Sequence, residues 1–453
     1  VIRAFFLLAI VVVLIAAARS FLPQETSLIG SGATLAFGFV LLASLQMGTM
    51  FSGLRLPRLT GYLLCGFVAG PSILNFVTRR MVDDLKLVNG VAIGLIALSA
   101  GGELNFRKLR SRLAAILSTG GFALSAAIVI LTLVIFALSA ALPFTEGMTI
   151  LQRAVVALTM AVVFSALSPT VTLALISETS AAGPLCDTAL GIVVVADLVI
   201  VIGFAAVKAL ADATFGSETG GGAGALMIHI FGSIAVGLVL GLVLLLYLKK
   251  VNQRVALFIV GICFLCAEAG TRLHLDPLLM CLTAGLFLEN LTDIEGSKLV
   301  HEIQPAAMPV FAVFFAVAGA GLHLDVFTER VTQTDGSEVS HVRWIVLLLA
   351  ATLVVVRAGA LVLGARFGMA AGGVPLEQRR FLPYSLMSQS GVAIGLAVLL
   401  AKHFAGWGEG ASALLLGGIM TNELIGPVLF RAALVRSGEA GKAGPRVAGA
   451  VAH

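Results

Sequence analysis

The 453-residue sequence predicts an all-α polytopic membrane protein of about thirteen or fourteen transmembrane helices. Three observations carry this prediction. Hydrophobic residues make up 59% of the chain and charged residues only 12%, whereas a soluble domain carries about 25% charged residues. Apolar runs long enough to span a bilayer follow one another with only short polar connections. Two of those runs are interrupted by polar, helix-breaking residues, which survive at membrane depth only where protein or a water-filled cavity satisfies the freed backbone groups.

Taken in order, Val1–Ala18 is apolar behind Arg3 and is followed by IAAARS, which resembles a signal-peptide cleavage site. We read it as a retained extra helix, with cleavage as the rival. Further spans follow at about 33–53, 58–77, 88–104, 112–142, 150–176, 184–210, 224–248, 254–270, 275–291, 305–322, 342–368, 380–402 and 408–433. The polar insertions around Gly216–Gly222 and Thr328–Arg343 read as loops. Lys and Arg gather on one side of this arrangement: Arg55 and Arg58; Arg107, Lys108, Arg110 and Arg112; Lys249, Lys250 and Arg254; Lys298, Arg366, Arg379 and Arg380. The C-terminal Arg431, Arg436, Lys442 and Arg446 join them. By the positive-inside rule that side, with the short basic tail 435–453, is cytoplasmic. The composition gives no sign of nucleic-acid binding.

The sequence also reads as carrying an internal repeat, with chance similarity between Leu/Gly/Ala-rich helices as the rival. LLCGFVAG (Leu63–Gly70) and LLMCLTAG (Leu278–Gly285) align without gaps. Each is followed by a glycine-rich helix end, SAGGELNF (Ser99–Phe106) and GAGLHLDVF (Gly319–Phe327). An odd number of helix steps separates the copies, so they enter the membrane in opposite directions. Inverted-topology repeats are characteristic of many secondary transporters. The repeat pairs the interruption at Ser168-Pro169-Thr170 with the one at Ser388-Gln389-Ser390-Gly391 in MSQSGVAIGLAVLL. Such paired broken helices point to a transporter's substrate site.

Asp197 stands alone between Val195-Ala196 and Leu198-Val199. A carboxylate there is costly to bury, and its oxygens can hold either a proton or a cation, so the two compete for one place. The hydroxyls of Ser168, Thr170 and Thr172, with carbonyls freed around Pro169, offer the neutral oxygens a hard monovalent cation prefers. The same hydroxyls could instead bond back to their own helix. Arg357 lies too deep in LLLAATLVVVRAGALVLGARFG to reach an interface. It needs a partner, and we expect it to face Asp197 when no cation is bound, the alternative being a clamp on backbone carbonyls. Glu268, Asp276, Glu289 and Glu423 read as helix-end, interfacial acids, and Asp83-Asp84 as a solvated loop pair beside Arg79 and Arg80. His229 reads as a hydrogen-bonded residue within a span. Cys263-x-x-Cys266 has metal-pair spacing, but without a second pair it reads as two small buried apolar residues.

At these residues the chain resembles the cation:proton antiporter-2 family, of the Kef/Nap type. The matching stretches are LPRLTGYLLCGFVAGPS (Leu56–Ser72), IGLIALSAGGELNFRKLR (Ile93–Arg110) and the long segment Ser165–Val201. DPLLMCLTAGLFLEN (Asp276–Asn290), SQSGVAIGLA (Ser388–Ala397) and NELIGPVLF (Asn422–Phe430) continue the series in the same order. The resemblance implies a sodium/proton antiporter fold in which two discontinuous helices cross near an aspartate, a homodimer, and an elevator-type displacement of a core against a panel. On this chain the membrane domain would be 31–434, with 1–30 as an extra N-terminal segment. Panel helices would fall at about 33–104 and 254–322, a linker helix at 224–248, and core helices at 112–210 and 342–433. The implied activity is exchange of protons for Na⁺ or K⁺ in a bacterial inner membrane, with no cofactor and with Asp197 as the ion- and proton-binding residue. Arg357 would take the family's basic core position.

One departure sharpens the expectation. Where the resemblance implies two adjacent carboxylates in charge-moving members, this chain has Ala196 before Asp197. One carboxylate exchanging one proton for one monovalent cation makes the exchange electroneutral, and Arg357 does not deprotonate in such a cycle. No glycine-rich phosphate fingerprint follows the last span, so relatives gated by a nucleotide-binding domain are poor guides. The rival functions are a symporter of another substrate class on the same scaffold and a non-transporting sensor derived from it. An intramembrane protease would need two catalytic aspartates, or a serine paired with a histidine.

Overall fold

The structure is a computed structural model that describes residues 7–10, 13, 31–103, 110, 112–215, 223–251, 255–273, 275–292, 309–321, 328–332, 338–342, 344–389, 391–404 and 406–442. Most of the N-terminal segment 1–30, the tail beyond 442, and Ser390 therefore lie outside the described residues. Each apolar span expected after the first has its helix. In chain order these are α1 (Ser31–Gly53), α2 (Arg58–Ala69), the short α3 (Arg79–Asp84), α4 (Lys86–Glu103) and α5 (Leu113–Leu138). Then come α6 (Ile150–Phe164), α7 (Pro169–Glu178), α8 (Pro184–Phe215), α9 (Ala223–Lys250), α10 (Val255–Leu273) and α11 (Pro277–Leu291). The chain closes with α12 (Pro309–Ala320), α13 (Trp344–Ala371), the single turns α14 (Leu376–Arg379) and α15 (Leu382–Ser385), α16 (Gly391–His403) and α17 (Gly408–Arg436).

Among the described residues six spans are long and apolar enough to cross a membrane, one of them the pair α6–α7 taken together. Two sequence expectations are corrected here. The insertion before α13 is not an open loop: Thr328–Thr332 (β1) and Glu338–Val342 (β2) pair antiparallel, with Thr328 opposite Val342 and Thr332 opposite Glu338. Both arms carry β-branched residues (Thr328, Val331 and Thr332; Val339 and Val342), which suits a short hairpin. Asp84 is not in a loop but ends the one-and-a-half-turn helix α3, where it is exposed.

Glycine decides how closely the helices approach. A Cβ on Gly70 of the α2 end would sit 2.9 Å from the Cα of Ala320 in α12, and one on Gly101 of α4 would sit 2.9 Å from the Cα of Gly285 in α11. The two LL…AG helices thus pack crosswise, the first on the glycine-rich helix that follows the second, and the second on the one that follows the first. Small residues that let backbones touch are the usual basis of helix packing in lipid, where apolar burial gives no drive for association.

The same device seats α13, the helix that carries Arg357. Gly364, Gly368 and Gly372 recur at four-residue spacing and lie directly on α5, against Phe122, Ser118 and Ala115. Gly359, one turn away on another face, has nothing within 4 Å. Gly368→Leu is therefore expected to separate α13 from α5 and cost about 1–3 kcal/mol, read as a lowered melting temperature of the detergent-solubilised protein. Gly359→Ala in the same helix should leave the melting temperature unchanged or slightly raised.

Candidate functional site

The first interruption begins at the end of α6. The backbone leaves the helix after Phe164, and α7 starts at Pro169, whose missing N–H and fixed φ suit the first helical position. Ser168 is the N-cap, its Oγ accepting from Val171 N at 3.1 Å. The second interruption runs from the end of α15 to the start of α16 at Gly391 and contains Met387, Ser388 and Gln389. Each break leaves carbonyls without the N–H groups that a continuous helix would supply.

One side chain answers that deficit at both breaks. Arg357 is fully buried. Its Nε donates to Phe164 O at 2.8 Å, one terminal nitrogen to Ala166 O at 2.9 Å, and the other to Met387 O at 2.9 Å. Gln389 adds a second tie, Nε2 donating to the same Phe164 O at 2.7 Å, while its Oε1 accepts from Asn422 Nδ2 of α17 at 2.7 Å. The two interruptions predicted from sequence therefore meet, joined through Arg357 and Gln389.

The expected direct pairing of Arg357 with Asp197 is not made. The guanidinium is spent on three carbonyls, a use that its five planar donors fit and a point-charge ammonium would not. The carbonyl clamp, the alternative open on the sequence, is the arrangement found.

Asp197 sits near the middle of α8, 7% exposed, and its Oδ1 is buried without a hydrogen-bond partner. The helix is held at both ends. At its start the Glu439 carboxylate accepts from Leu185 N at 2.7 Å and Cys186 N at 2.9 Å, an anion at a helix N-terminus. The chain there is also tied by Ala182 N to Glu439 O and by Gly441 N to Thr179 O. Near the far end Asp212 bonds Lys208 Nζ at 2.8 Å and His403 Nε2 of α16 at 2.7 Å. The tail residues 437–442 thus belong to the fold, a role without any local signal, because Glu439 lies some 250 residues from the amides it caps.

Asp197 opens on a cavity of about 440 Å³. One wall is α8 with Pro169; the other is α9 (Ile234, Leu238) and the length of α11 from Leu278 to Leu291, with Asp276 at its head. Pro169, not the neighbouring hydroxyls, represents the first break in this lining. Ser168 and Thr170 are 3.2 Å apart, oxygen to oxygen, and serve the first turn of α7. Thr172 is buried with its hydroxyl unpartnered. Ser388 is also buried with its hydroxyl unpartnered.

Two acids read as interfacial need correction. Glu423 is buried, 5% exposed, because α17 runs unbroken through Pro427 and places it mid-helix, with one carboxylate oxygen unpartnered. Asp276 does cap a helix end, as expected, but that end faces the cavity of Asp197. Glu268 forms an exposed i,i+4 pair with Arg272. Cys263 and Cys266 are buried free thiols, as is Cys281, and no metal-holding group of His, Cys, Asp and Glu occurs among the described residues.

The family model for the transmembrane sodium/hydrogen exchanger matches residues 37–438, nearly the whole described fold. The chain belongs to the sodium/hydrogen exchanger family. The exchanger is accordingly a transporter, a multi-pass cation/proton antiporter, and not an enzyme. Among solved structures, the sodium proton antiporter MjNhaP1 from Methanocaldococcus jannaschii at pH 8 superposes with a TM-score of 0.64 at 16% identity. The match covers 90% of this chain and 98% of that one. At that identity it shows the fold. No curated protein matches by sequence.

Removing the clamp should be structurally severe. In the exchanger, Arg357→Ala leaves buried carbonyls of both breaks unsatisfied, and a loss of about 3 kcal/mol or more is expected, read as a collapse of the melting temperature in detergent. Arg357→Lys should recover only part of it, because an ammonium cannot fork across three carbonyls.

Proposed function

We propose that the exchanger moves protons against Na⁺ or K⁺ through Asp197, one proton and one monovalent cation competing for the same carboxylate. The observation that carries this reading is the unpartnered, buried Oδ1 of Asp197 beside a cavity that also reaches the first helix break. A carboxylate so placed gains a partner only by taking a proton or a cation. Thr172, on the broken helix that packs against α8, is the neutral oxygen we place beside it, with Ser168 and Thr170 holding the turn.

Ala196 is buried beside Asp197 and adds no second charge to the helix, which supports an electroneutral exchange. We further propose alternating access by an elevator displacement of a core (112–210 and 342–433) against a panel (33–104 and 254–322). The cavity lies between helices assigned to the two units, and the clamp would move as one body with the core. The exchange of packing partners between the repeat copies supports an inverted-topology repeat. A homodimer in a bacterial inner membrane, with a cytoplasmic C-terminus and Kef/Nap-type kinship, completes the reading.

In sealed proteoliposomes, Asp197→Asn is expected to abolish cation-dependent proton movement while the solubilised protein keeps its melting profile. Retained exchange in that variant would overturn the assignment. For the wild type, the apparent KM for the cation should rise as pH falls, as competition requires. An imposed membrane potential should leave net exchange unchanged. Voltage-driven exchange would refute electroneutrality without touching Asp197.

A further inference from the structure

Of the described side chains that line the cavity, three carry polar groups: Asp197, Asp276 and Thr283. Among the described residues no lining side chain is basic. The two carboxylates stand on opposite walls, Asp197 on α8 and Asp276 at the head of α11. Asp276 is fixed in place. Its Oδ1 accepts from Leu278 N at 2.9 Å and Leu279 N at 3.5 Å, and its own N–H donates to Ser233 Oγ of α9 at 2.9 Å. Pro277 opens the helix behind it.

We infer that Asp276 is a second cation-recognition residue of the exchanger, a stationary carboxylate that draws the monovalent cation into the cavity facing Asp197. The inference rests on the reading of Asp197 as the exchanging site. Two physical arguments carry it. A cleft lined by one sign of charge with low-dielectric walls focuses the field and concentrates counter-ions. Here the walls are almost wholly aliphatic and aromatic, so little else offsets the hydration that a cation gives up on entering. The second argument is the unpartnered oxygen across the cavity, because Asp197 supplies a destination and Asp276 a guide to it. The division of labour follows from the anchoring. Asp276 is tied to backbone amides of its own helix and to α9, so it guides and does not travel, whereas Asp197 carries the ion.

The position is suited to a clean test, because asparagine caps a helix about as well as aspartate. Asp276→Asn keeps the cap and removes the charge. In proteoliposomes with Na⁺ and, separately, K⁺ as the probe, this variant is expected to raise the apparent KM about three- to tenfold, more than it lowers the maximal rate. The rise in KM with added choline chloride should be weaker in the variant than in the wild type, since screening then has less charge to act on. Asp276→Ala should show the same KM change together with a lowered melting temperature, from loss of the cap.

An Asp276→Asn exchanger with wild-type KM and wild-type ionic-strength dependence would overturn the inference and reduce Asp276 to a cap. Asp197→Asn is measured alongside. If it is inactive while Asp276→Asn behaves as wild type, only the present inference fails. If Asp197→Asn still exchanges, the underlying reading fails, and the KM of Asp276→Asn still reports whether that carboxylate recognises cations.

Discussion

The fold depends on one guanidinium. Breaking two helices inside a membrane protein strands carbonyl oxygens where no water of the bilayer can reach them, at several kcal/mol each if unmet. Arg357 meets three of them at once, from both breaks, and Gln389 adds a second bond to the carbonyl of Phe164. The cost of burying a permanent cation is offset by aligned carbonyl dipoles rather than by a counter-ion. Asp197 is left uncommitted: a salt bridge from Arg357 would have satisfied the carboxylate oxygen that stands without a partner.

The rest of the architecture keeps that arrangement rigid while leaving one face open. Glycines at 364, 368 and 372 press α13 onto α5 and so fix the depth of Arg357. Glu439 caps the start of α8, and Asp212 with His403 secures its other end, so the middle of α8 is positioned without Asp197 itself being bonded. On the other side of the cavity, α9 and α11 are joined by Ser233 and Asp276. Two separately braced walls, each with one carboxylate, face a common space. The lining between the two walls is almost wholly apolar, so few polar bonds can cross it.

How much of this could be read from residues alone varies by the range of the interaction. The helix spans, both breaks and the isolated acid follow from local hydropathy, from Pro169 behind a serine cap, and from the polar run at Ser388-Gln389. Glu423 is not legible locally, because only the continuation of α17 past Pro427 places it mid-helix and buries it. Asp276 was placed correctly on its helix but not against its neighbour, since nothing local says that the head of α11 faces the middle of α8. Glu439 lay in what reads as a basic tail.

By itself, the sequence determined that the chain lives in a membrane, where its helices run, where two of them break and which buried acid lacks a neighbour of its own kind. These are consequences of transfer free energy and backbone hydrogen bonding within a few residues, so composition and order suffice. Tertiary structure alone decided the partners: that Arg357 grips carbonyls and not Asp197, that the tail caps α8, and that a second carboxylate looks across the cavity. Those outcomes depend on which of several available acceptors comes within about 3 Å of a donor, and helix packing sets that distance.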